Sequence, residues 1–404
     1  MLSVLAIVCT LAVIVILLNR KIKMGYAMLA GSAVLFFASG PQLSKLTMAI
    51  TATLTAHSTW EIIFALYFVM CLEYQLRTSG TIDGFMSVSR QVFKSDRYLL
   101  AMMPAFLGFL PSLGGAIFSA PLVENAGKSY GLSAETKTII NYWFRHVWEF
   151  TNPIFTGMLL ASNLSGIPLG TLVSHMAWLT ALSITIGWLT FISPLKGKSS
   201  LNSAPAGPCP DACAYRYVAL AVGPILANLL LVVFVGLDAS ISMAIVVAAM
   251  SVILRQSQAA VRGMLVHAFD RNLLLGVLGI LFFQNMLRQA GVVDDIAALF
   301  HSLAVPAAVV VGIIAFLGGL LTGTSQGFVA MTFPFIAVLS PGDLTLVTVC
   351  FVMGTAGHML SPAHLCLLVT LDYFKSDFFK SLRPILALEI IMVAATYGVI
   401  SLWG

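Results

Sequence analysis

The chain has little charge and few positions from which a water-soluble surface can be built. Of its 404 residues only 9% are Asp, Glu, Lys or Arg, while 59% are hydrophobic. Soluble domains carry about 25% charged residues, so the composition excludes a soluble globular protein and indicates a lipid bilayer as the surroundings. The formal net charge of +5 indicates membrane orientation rather than nucleic-acid binding, because Lys and Arg collect on the cytoplasmic side of membrane proteins.

Signatures of metal sites are sparse. No His-Glu-x-x-His run occurs, which argues against a zinc protease of that class. The six cysteines are scattered, and the spacing of Cys209 and Cys213 suits no standard zinc site without further ligands. We therefore expect no metal centre and no cofactor, apart from Na+ as a candidate coupling ion.

Apolar runs long enough to cross a bilayer are abundant. About 17 to 25 residues span the hydrocarbon core of roughly 30 Å. The first run, Leu2 to Leu18, has no basic lead-in and no small-residue cleavage site, so it is predicted to be a retained span. The other predicted spans are Trp60 to Leu76, Pro168 to Ile192, Tyr217 to Leu237, Asn272 to Leu287 and Pro384 to Leu402, with shorter candidates at Gly25 to Gly40 and Ser240 to Leu254.

Two stretches about half the chain apart resemble each other. Leu, Arg, Gly and Asp recur in register between residues 76–83 and residues 287–294, at an offset of 211. Pro153 and Pro362 each interrupt an apolar run and recur at an offset of 209. In a membrane protein, such a duplication is typical of secondary transporters that are built from two repeats.

Both halves also contain apolar segments that are too irregular to be simple crossings. Leu99 to Leu110 would form only about 18 Å of helix before a break at residues 111–115, so residues 99–128 are predicted to form a re-entrant hairpin. Residues 305–339 are predicted to form a second hairpin with its turn at residues 322–325. Glycines at such turns let another backbone approach closely, and the hydroxyl and amide groups offer ligand oxygens. The candidate site residues at the two turns are Ser112, Gly114, Gly115, Thr322, Thr324, Ser325 and Gln326.

Each hairpin is followed by a predicted crossing helix with a polar interruption. Residues 134–162 are broken at residues 151–153, and residues 344–371 are broken between residues 357 and 362. Backbone groups that are freed at such breaks are tolerated in a bilayer only where they are buried in protein or line a wet cavity. We therefore expect one ion or substrate site that is built from both breaks.

The basic residues decide the predicted orientation. With five crossings in each half and the N-terminus outside, 18 of the 21 Lys and Arg residues lie on the cytoplasmic side. Because five is odd, the two halves are inverted relative to each other. The predicted organisation is a first repeat over residues 1–192, a cytoplasmic linker over residues 193–214 and a second repeat over residues 215–404, with both termini outside.

Three ionisable residues precede the first break. Arg145, His146 and Glu149 lie on a helix that should sit near mid-depth, where burying a charge costs at least about 3 kcal/mol. One interpretation is a structural bridge between Arg145 and Glu149, which are four residues apart. The other is that Arg145 binds a carboxylate-like anion, while Glu149 or His146 couples transport to a proton.

The breaks supply further candidate ligands. Thr151 and Asn152 offer oxygens for Na+ or for a substrate hydroxyl, and a half-helix that begins at Ile154 would point its positive end toward the break. Glu149 is expected to face His358 across the pseudo-symmetry. The equivalent neighbourhood in the second half contains His358, Ser361 and His364.

The segment Asn141 to Glu149, followed by Thr151-Asn152-Pro153, resembles a motif of an uncharacterised family of bacterial and archaeal membrane proteins with about ten spans. That family is a domain of unknown function within the ion transporter superfamily, and the likeness covers essentially the whole chain. The superfamily includes gluconate permeases, citrate and dicarboxylate transporters and Na+/H+ antiporters. The resemblance implies paired re-entrant hairpins, interrupted helices, a scaffold that dimerises and elevator-like motion. The first hairpin reads Pro-Ser-Leu-Gly-Gly in place of the Ser-Asn-Thr signature of the dicarboxylate carriers.

These features together predict an all-α polytopic protein of the inner (plasma) membrane that is a secondary active transporter and not an enzyme. We expect a small organic anion as substrate, Na+ or H+ as the coupling ion and a homodimer as the assembly. Two alternatives stay open. In a Na+/H+ antiporter Glu149 would exchange ions and Arg145 would be structural. An intramembrane metal-dependent enzyme would use His146, Glu149, His358 and His364.

Overall fold

The protein is helical throughout the part of the chain that its structure describes. The computed structural model describes residues 2–85, 88, 95–109, 115–196, 211–291 and 306–403, and every regular element in these ranges is a helix. Five segments are long and apolar enough to cross a membrane, and they are His57–Thr78, Leu169–Ile192, Tyr215–Val235, Arg271–Ala290 and Phe378–Leu402. The predicted all-α, multi-pass class is confirmed at this level, and these segments coincide with five of the predicted spans.

Helices α1 to α10 belong to the first half. Their bounds are α1 Leu2–Asn19, α2 Met24–Ala38, α3 Leu43–Thr55, α4 His57–Thr78, α5 Asp96–Phe109, α6 Gly115–Lys128, α7 Ala134–His146, α8 Thr156–Ser165, α9 Leu169–His175 and α10 Ala177–Gly187. Helix α10 continues into a π-helical turn at Trp188–Ile192, and with α9 it makes one segment long enough to cross.

Helices α11 to α19 belong to the second half. Their bounds are α11 Asp211–Leu230 with a π-helical turn at Leu231–Val235, α12 Ala239–Ile253, α13 Gln258–His267, α14 Arg271–Ala290, α15 Ala307–Thr322, α16 Ser325–Leu339, α17 Leu344–Met359, α18 Leu365–Phe374 and α19 Phe378–Trp403. Most of the predicted linker, residues 197–210, lies outside the described residues.

Each half contains a pair of packed helices that precedes an interrupted helix. In the second half α15 ends at Thr322 and α16 begins at Ser325, which agrees with the predicted turn. In the first half α5 packs on α6, and Gly115 is the first residue of α6. The predicted turn residues Ser112 and Gly114 lie outside the described residues.

The first interruption is longer than predicted. Helix α7 ends at His146 and α8 begins at Thr156, so the break starts at Val147 rather than at Thr151, and the helix restarts two residues after Ile154. Proline explains part of this. The ring of Pro153 clashes with the carbonyl four residues earlier, and its nitrogen has no proton to donate to that carbonyl. The second interruption separates α17, which ends at Met359, from α18, which begins at Leu365.

Glycines bring α15 and α17 into backbone contact. A Cβ atom added to Gly319 would lie 2.7 Å from the amide nitrogen of His358, and one added to Gly357 would lie 3.0 Å from that of Leu320. Small residues at helix interfaces allow such close approach in membranes. The hairpin therefore holds the last turn of α17, and with it His358, at a fixed position.

Candidate functional site

One cavity of about 430 Å³ lies between the two interrupted helices. Both breaks, the turn between α15 and α16, and one face of α4 border it. Its volume suits a small organic ligand. The lining residues are Leu66, Val69, Met70, Gly108, Arg145, His146, Trp148, Glu149, Asn152, Phe155, Thr156, Asp270, Leu273, Gly323, Thr324, Ser325, Gln326, His358, Ala363, His364, Leu365 and Cys366.

Four ionisable side chains, Glu149, His358, His364 and His146, form a row of hydrogen-bond contacts at this cavity, which we call the histidine chain. Glu149 Oε2 lies 2.7 Å from His358 Nε2, and His358 Nδ1 lies 3.0 Å from His364 Nδ1. His364 Nε2 lies 3.1 Å from His146 Nε2. At the end of the row, His146 Nδ1 lies 2.7 Å from the carbonyl oxygen of Tyr142. The structure thus joins Glu149 of the first break to His358 of the second half.

Aromatic packing holds the rings of the histidine chain in place. The His358 ring stacks between Phe328, at 6.1 Å between centroids, and His364, at 5.0 Å. The Tyr142 ring meets the His364 ring edge to face at 5.2 Å, and the Tyr142 hydroxyl donates to the Met359 carbonyl at 3.0 Å. The His358 and Glu149 side chains are only 1% and 5% exposed. Their pairing is therefore shielded from solvent.

Three helices begin at the cavity. Helix α8 begins at Thr156, α16 at Ser325 and α18 at Leu365, and all three residues line the space. The first amide groups of a helix have no partner within it, and the helix dipole makes that end positive. Thr324 caps α16 by accepting from the amide of Gly327 at 3.1 Å, whereas among the described residues the N-cap side chains of α8 and α18 make no such bond. The arrangement favours an anion.

Arg145 is buried at the last turn of α7, with 6% of its surface exposed. Its Nη1 donates to the carbonyl of Leu107 in α5 at 3.0 Å, which ties the two helices together. In the described part of the chain no salt bridge joins Arg145 to Glu149, whose carboxylate forms a hydrogen bond with His358 instead. The helix ends at His146, so the two residues do not have the helical spacing that the structural-bridge interpretation assumed. A Cβ on Gly108 would overlap the Arg145 carbonyl, so α5 lies directly against this turn.

The predicted site residues divide into two groups. Those that line the cavity are Arg145, His146, Glu149, Asn152, Thr324, Ser325, Gln326 and His358. The hydroxyls of the others form local bonds instead: Thr151 Oγ1 lies 2.9 Å from Thr180 Oγ1, Ser361 donates to the Leu320 carbonyl at 2.6 Å, and Thr322 donates to the Gly318 carbonyl at 2.7 Å. Gly115 is the first residue of α6.

Some lining residues carried no signal in the sequence. Trp148 sits inside the first break, and its Nε1 is buried without a hydrogen-bond partner in the described part of the chain. Asp270 precedes α14, and its Oδ1 accepts from the amide of Asn272 at 2.8 Å as a helix cap. The α4 residues that form the apolar wall are indistinguishable in the sequence from those of an ordinary membrane span. Only helix packing brings these residues to the cavity.

Two features bear on the enzyme alternative. The ligand atoms of His146, His364 and Cys366 lie within 4.8 Å of one another, but a metal ion there would have to replace the contact between the two imidazoles, so we assign these nitrogens to hydrogen bonding. Residues 323–327 match the letters Gly-x-Ser-x-Gly, which the sequence interpretation overlooked. A nucleophile elbow joins a strand to a helix, whereas Ser325 follows helix α15, and no hydrogen bond joins Ser325 to a histidine in the described residues.

Comparisons with known proteins give the family of the chain and a solved structure with a similar fold. The family described as "Protein of unknown function (DUF401)" matches residues 1–400. No curated protein matches the chain. Among solved structures, the chain is similar to the YdaH transporter of Alcanivorax borkumensis, described as having an unusual topology, with a TM-score of 0.62 and 16% identity over 96% of this chain and 98% of that chain. At this identity the likeness shows the fold. The predicted likeness to gluconate permeases and citrate transporters is not part of these findings and stays a prediction.

Proposed function

The chain belongs to the DUF401 family of proteins of unknown function, and we propose that it is a secondary active transporter of a small organic anion, coupled to Na+ or H+. The fold that it shares with the YdaH transporter supports transport as the function. We infer the negative charge of the substrate from one observation: three helix N-termini and the Arg145 guanidinium meet at one cavity.

Electrostatics favours an anion over a cation in this cavity. A helix N-terminus stabilises a nearby negative charge by about 0.3–1 kcal/mol, and by up to about 2 kcal/mol where it is partly buried. Arg145 adds charge-assisted hydrogen bonds in a geometry that matches a carboxylate. The carboxylate of Glu149, which would repel an anion, is paired with His358. A carboxylate of small volume is therefore the substrate class that we propose.

The cavity also supports a mechanism of alternating access. Its polar wall comes from the interrupted helices and the turn between α15 and α16, whereas α4 and Leu273 of α14 supply a mostly apolar wall. We propose that the polar group moves against α4 and α14 in an elevator-like motion. Two inverted repeats with five crossings each, a homodimer, and an inner (plasma) membrane location with both termini outside belong to the same proposal.

The burial of Glu149 supports a second candidate, a Na+/H+ antiporter. In that case the carboxylate would exchange Na+ for a proton, with the side chain of Asn152 at the same cavity as a further oxygen donor. Arg145 would then be structural, with its bond to the Leu107 carbonyl anchoring α5. The two candidates differ in whether Arg145 contacts the transported ion.

A thermal-shift screen tests the substrate class. Purified protein in detergent is mixed with monocarboxylates, sugar acids, dicarboxylates and inorganic anions, in Na+ and in K+ buffers. A specific binder at about 100 times its Kd stabilises the fold by about 2.7 kcal/mol. Arg145→Ala should abolish this stabilisation, and Arg145→Lys should keep part of it. Arg262→Ala removes an exposed arginine of α13 and should respond as wild type.

Proteoliposomes separate the two candidates. Uptake or counterflow of a labelled anion that loses its signal in Arg145→Ala supports the anion transporter. Collapse of a pH gradient by Na+ alone, with no anion required and with Arg145→Ala still active, would replace it with the antiporter. An unchanged anion response in folded Arg145→Ala would remove Arg145 from the site.

A further inference from the structure

The contacts at the two ends of the histidine chain determine which ring nitrogens carry two of its protons. His146 Nδ1 lies 2.7 Å from the Tyr142 carbonyl, which only accepts hydrogen bonds, so this nitrogen carries a proton. His358 Nε2 lies 2.7 Å from Glu149 Oε2. An ionised carboxylate also only accepts, so His358 Nε2 carries a proton whenever Glu149 is charged.

The two inner contacts need a proton each. His146 Nε2 faces His364 Nε2 at 3.1 Å, and His358 Nδ1 faces His364 Nδ1 at 3.0 Å. A neutral imidazole carries one proton, and those of His146 and His358 are already at the ends of the chain. Both inner protons must then come from His364. Four contacts need four protons, whereas three neutral rings hold three, so the chain is complete only with one additional proton.

The additional proton can be accommodated in the chain in two alternative arrangements. On His364 it makes an imidazolium that donates from both nitrogens, and the Glu149 carboxylate balances its charge. In the other arrangement the proton of His364 Nδ1 passes to His358 Nδ1, and that of His358 Nε2 passes to Glu149. The His358 carbonyl, 3.2 Å from His364 Nδ1, favours the first arrangement. In both, all four contacts persist and the chain has no net charge.

Loss of the additional proton opens one contact. With three neutral rings and an ionised Glu149, the proton of His364 stays on Nδ1, where the His358 carbonyl accepts it. His146 Nε2 and His364 Nε2 then face each other with lone pairs and must separate. The chain carries one negative charge, which repels an anion in the adjoining cavity.

We propose that the coupling ion of this transporter is the proton, and that one proton enters the histidine chain with each anion that enters the cavity. This inference rests on the proposed function. Protonation removes the charge that repels the anion, and a bound anion favours the protonated chain. The two ligands therefore bind cooperatively, and the effect is reciprocal by linkage.

Other titratable or charged groups surround the chain without taking part in its four contacts. Among the described lining residues, α4, α5 and α16 contribute none. Glu389 of α19 is buried and shares a small crevice with His146, and Asp270 serves as a cap of α14. Among the described residues, these groups are the Tyr142 hydroxyl, Arg145, Asp270, Cys366 and Glu389.

Solid-state NMR of protein labelled with 15N-histidine reads the proton count without any substrate. We expect scalar couplings between nitrogens across both inner contacts near neutral pH. As the pH rises, the coupling between His146 and His364 should be lost, while that between His358 and His364 persists. His57→Gln, which removes an exposed histidine, should leave both couplings unchanged. Absence of both couplings at every pH, or stoichiometric metal in the purified protein, would show that the four contacts do not hold four protons.

Glu149→Gln mimics the proton-loaded chain. The Gln amide donates to His358 Nε2, so three neutral rings satisfy all four contacts and no charge develops. Both couplings should then persist at every pH. Liposomes should retain anion exchange but lose accumulation driven by a pH gradient. Glu135→Gln, at the start of α7, is the matched control and should behave as wild type.

Transport measures the stoichiometry. Proteoliposomes at zero membrane potential are tested with labelled acetate, gluconate, citrate and succinate. One proton per anion sustains about tenfold accumulation for each pH unit of gradient, since one pH unit corresponds to a factor of ten in the equilibrium. Accumulation that follows Na+ and ignores pH would overturn the proton as the coupling ion. Couplings that are present in a protein that transports none of the four anions would count against the proposed function instead, so the two failures are distinguishable.

Discussion

His358 Nε2 and Glu149 Oε2 lie 2.7 Å apart although 209 residues separate them in the chain. One belongs to the last turn of α17 and the other to the first interruption, so their contact joins the two halves at their irregular segments. Both side chains are buried. Such a buried ionisable contact is expensive to break, because the remaining group keeps its desolvation penalty without its hydrogen-bond partner.

His358→Ala should destabilise the protein by about 3–5 kcal/mol, because it leaves the Glu149 carboxylate buried without its partner. The double variant His358→Ala, Glu149→Gln removes the orphaned charge and should recover part of that loss. Urea unfolding in detergent, followed by far-UV circular dichroism, measures both. His57→Ala removes an exposed histidine and should unfold as wild type does. Equal stability of the single and double variants would show that the carboxylate is not the source of the cost.

Gly323→Ala should weaken anion binding as well as stability. Gly323 has φ +64°, and a Cβ there would lie 2.7 Å from the carbonyl carbon of Ala363 and 2.8 Å from the amide nitrogen of His364. Gly342→Ala is the matched control, since its φ is +78° but nothing lies within 4 Å. Both variants should lose about 1 kcal/mol or more from backbone strain. Only Gly323→Ala should reduce the thermal shift caused by an anion, because it displaces the second break. A reduction of the same size in Gly342→Ala would exclude this explanation.

Two tryptophans near the cavity should respond differently to replacement by Phe. Trp143 Nε1 donates to the Ser183 carbonyl at 3.1 Å, whereas Trp148 Nε1 is buried without a hydrogen-bond partner in the described residues. Trp143→Phe should therefore cost about 1 kcal/mol more than Trp148→Phe in the free energy of unfolding, since only the former loses a bond. Urea unfolding of the two variants makes the comparison. A larger loss in Trp148→Phe would reveal an unrecognised partner of its indole.

The second hairpin illustrates what a local pattern predicts well. Its two arms are apolar, and the polar residues between them end one helix at Thr322 and cap the next through Thr324. Both effects depend on residues within one turn of each other, which a sequence displays directly.

The first interruption is different, because its contacts come from distant parts of the chain. Pro153 indicates that a break occurs, but the break extends back to Val147. Within it Glu149 forms a hydrogen bond with His358, and the Asn152 amide donates to the Phe109 carbonyl at 2.9 Å. Those partners come from other segments.

The amino-acid order by itself determined the membrane setting, the helical class, the turn between α15 and α16 and the presence of polar breaks, because hydropathy, proline and capping act over a few residues. The pseudo-symmetry predicted that Glu149 faces His358, while the helical spacing also allowed a bridge to Arg145. Only the tertiary structure decided between these partners, and only it showed that His364 links the two halves and that Ser361 bonds the Leu320 carbonyl. Partner choice across such distances depends on how closely the helices pack. Backbone contacts at residues such as Gly319 and Gly357 govern that packing, and they exist only once the chain is folded.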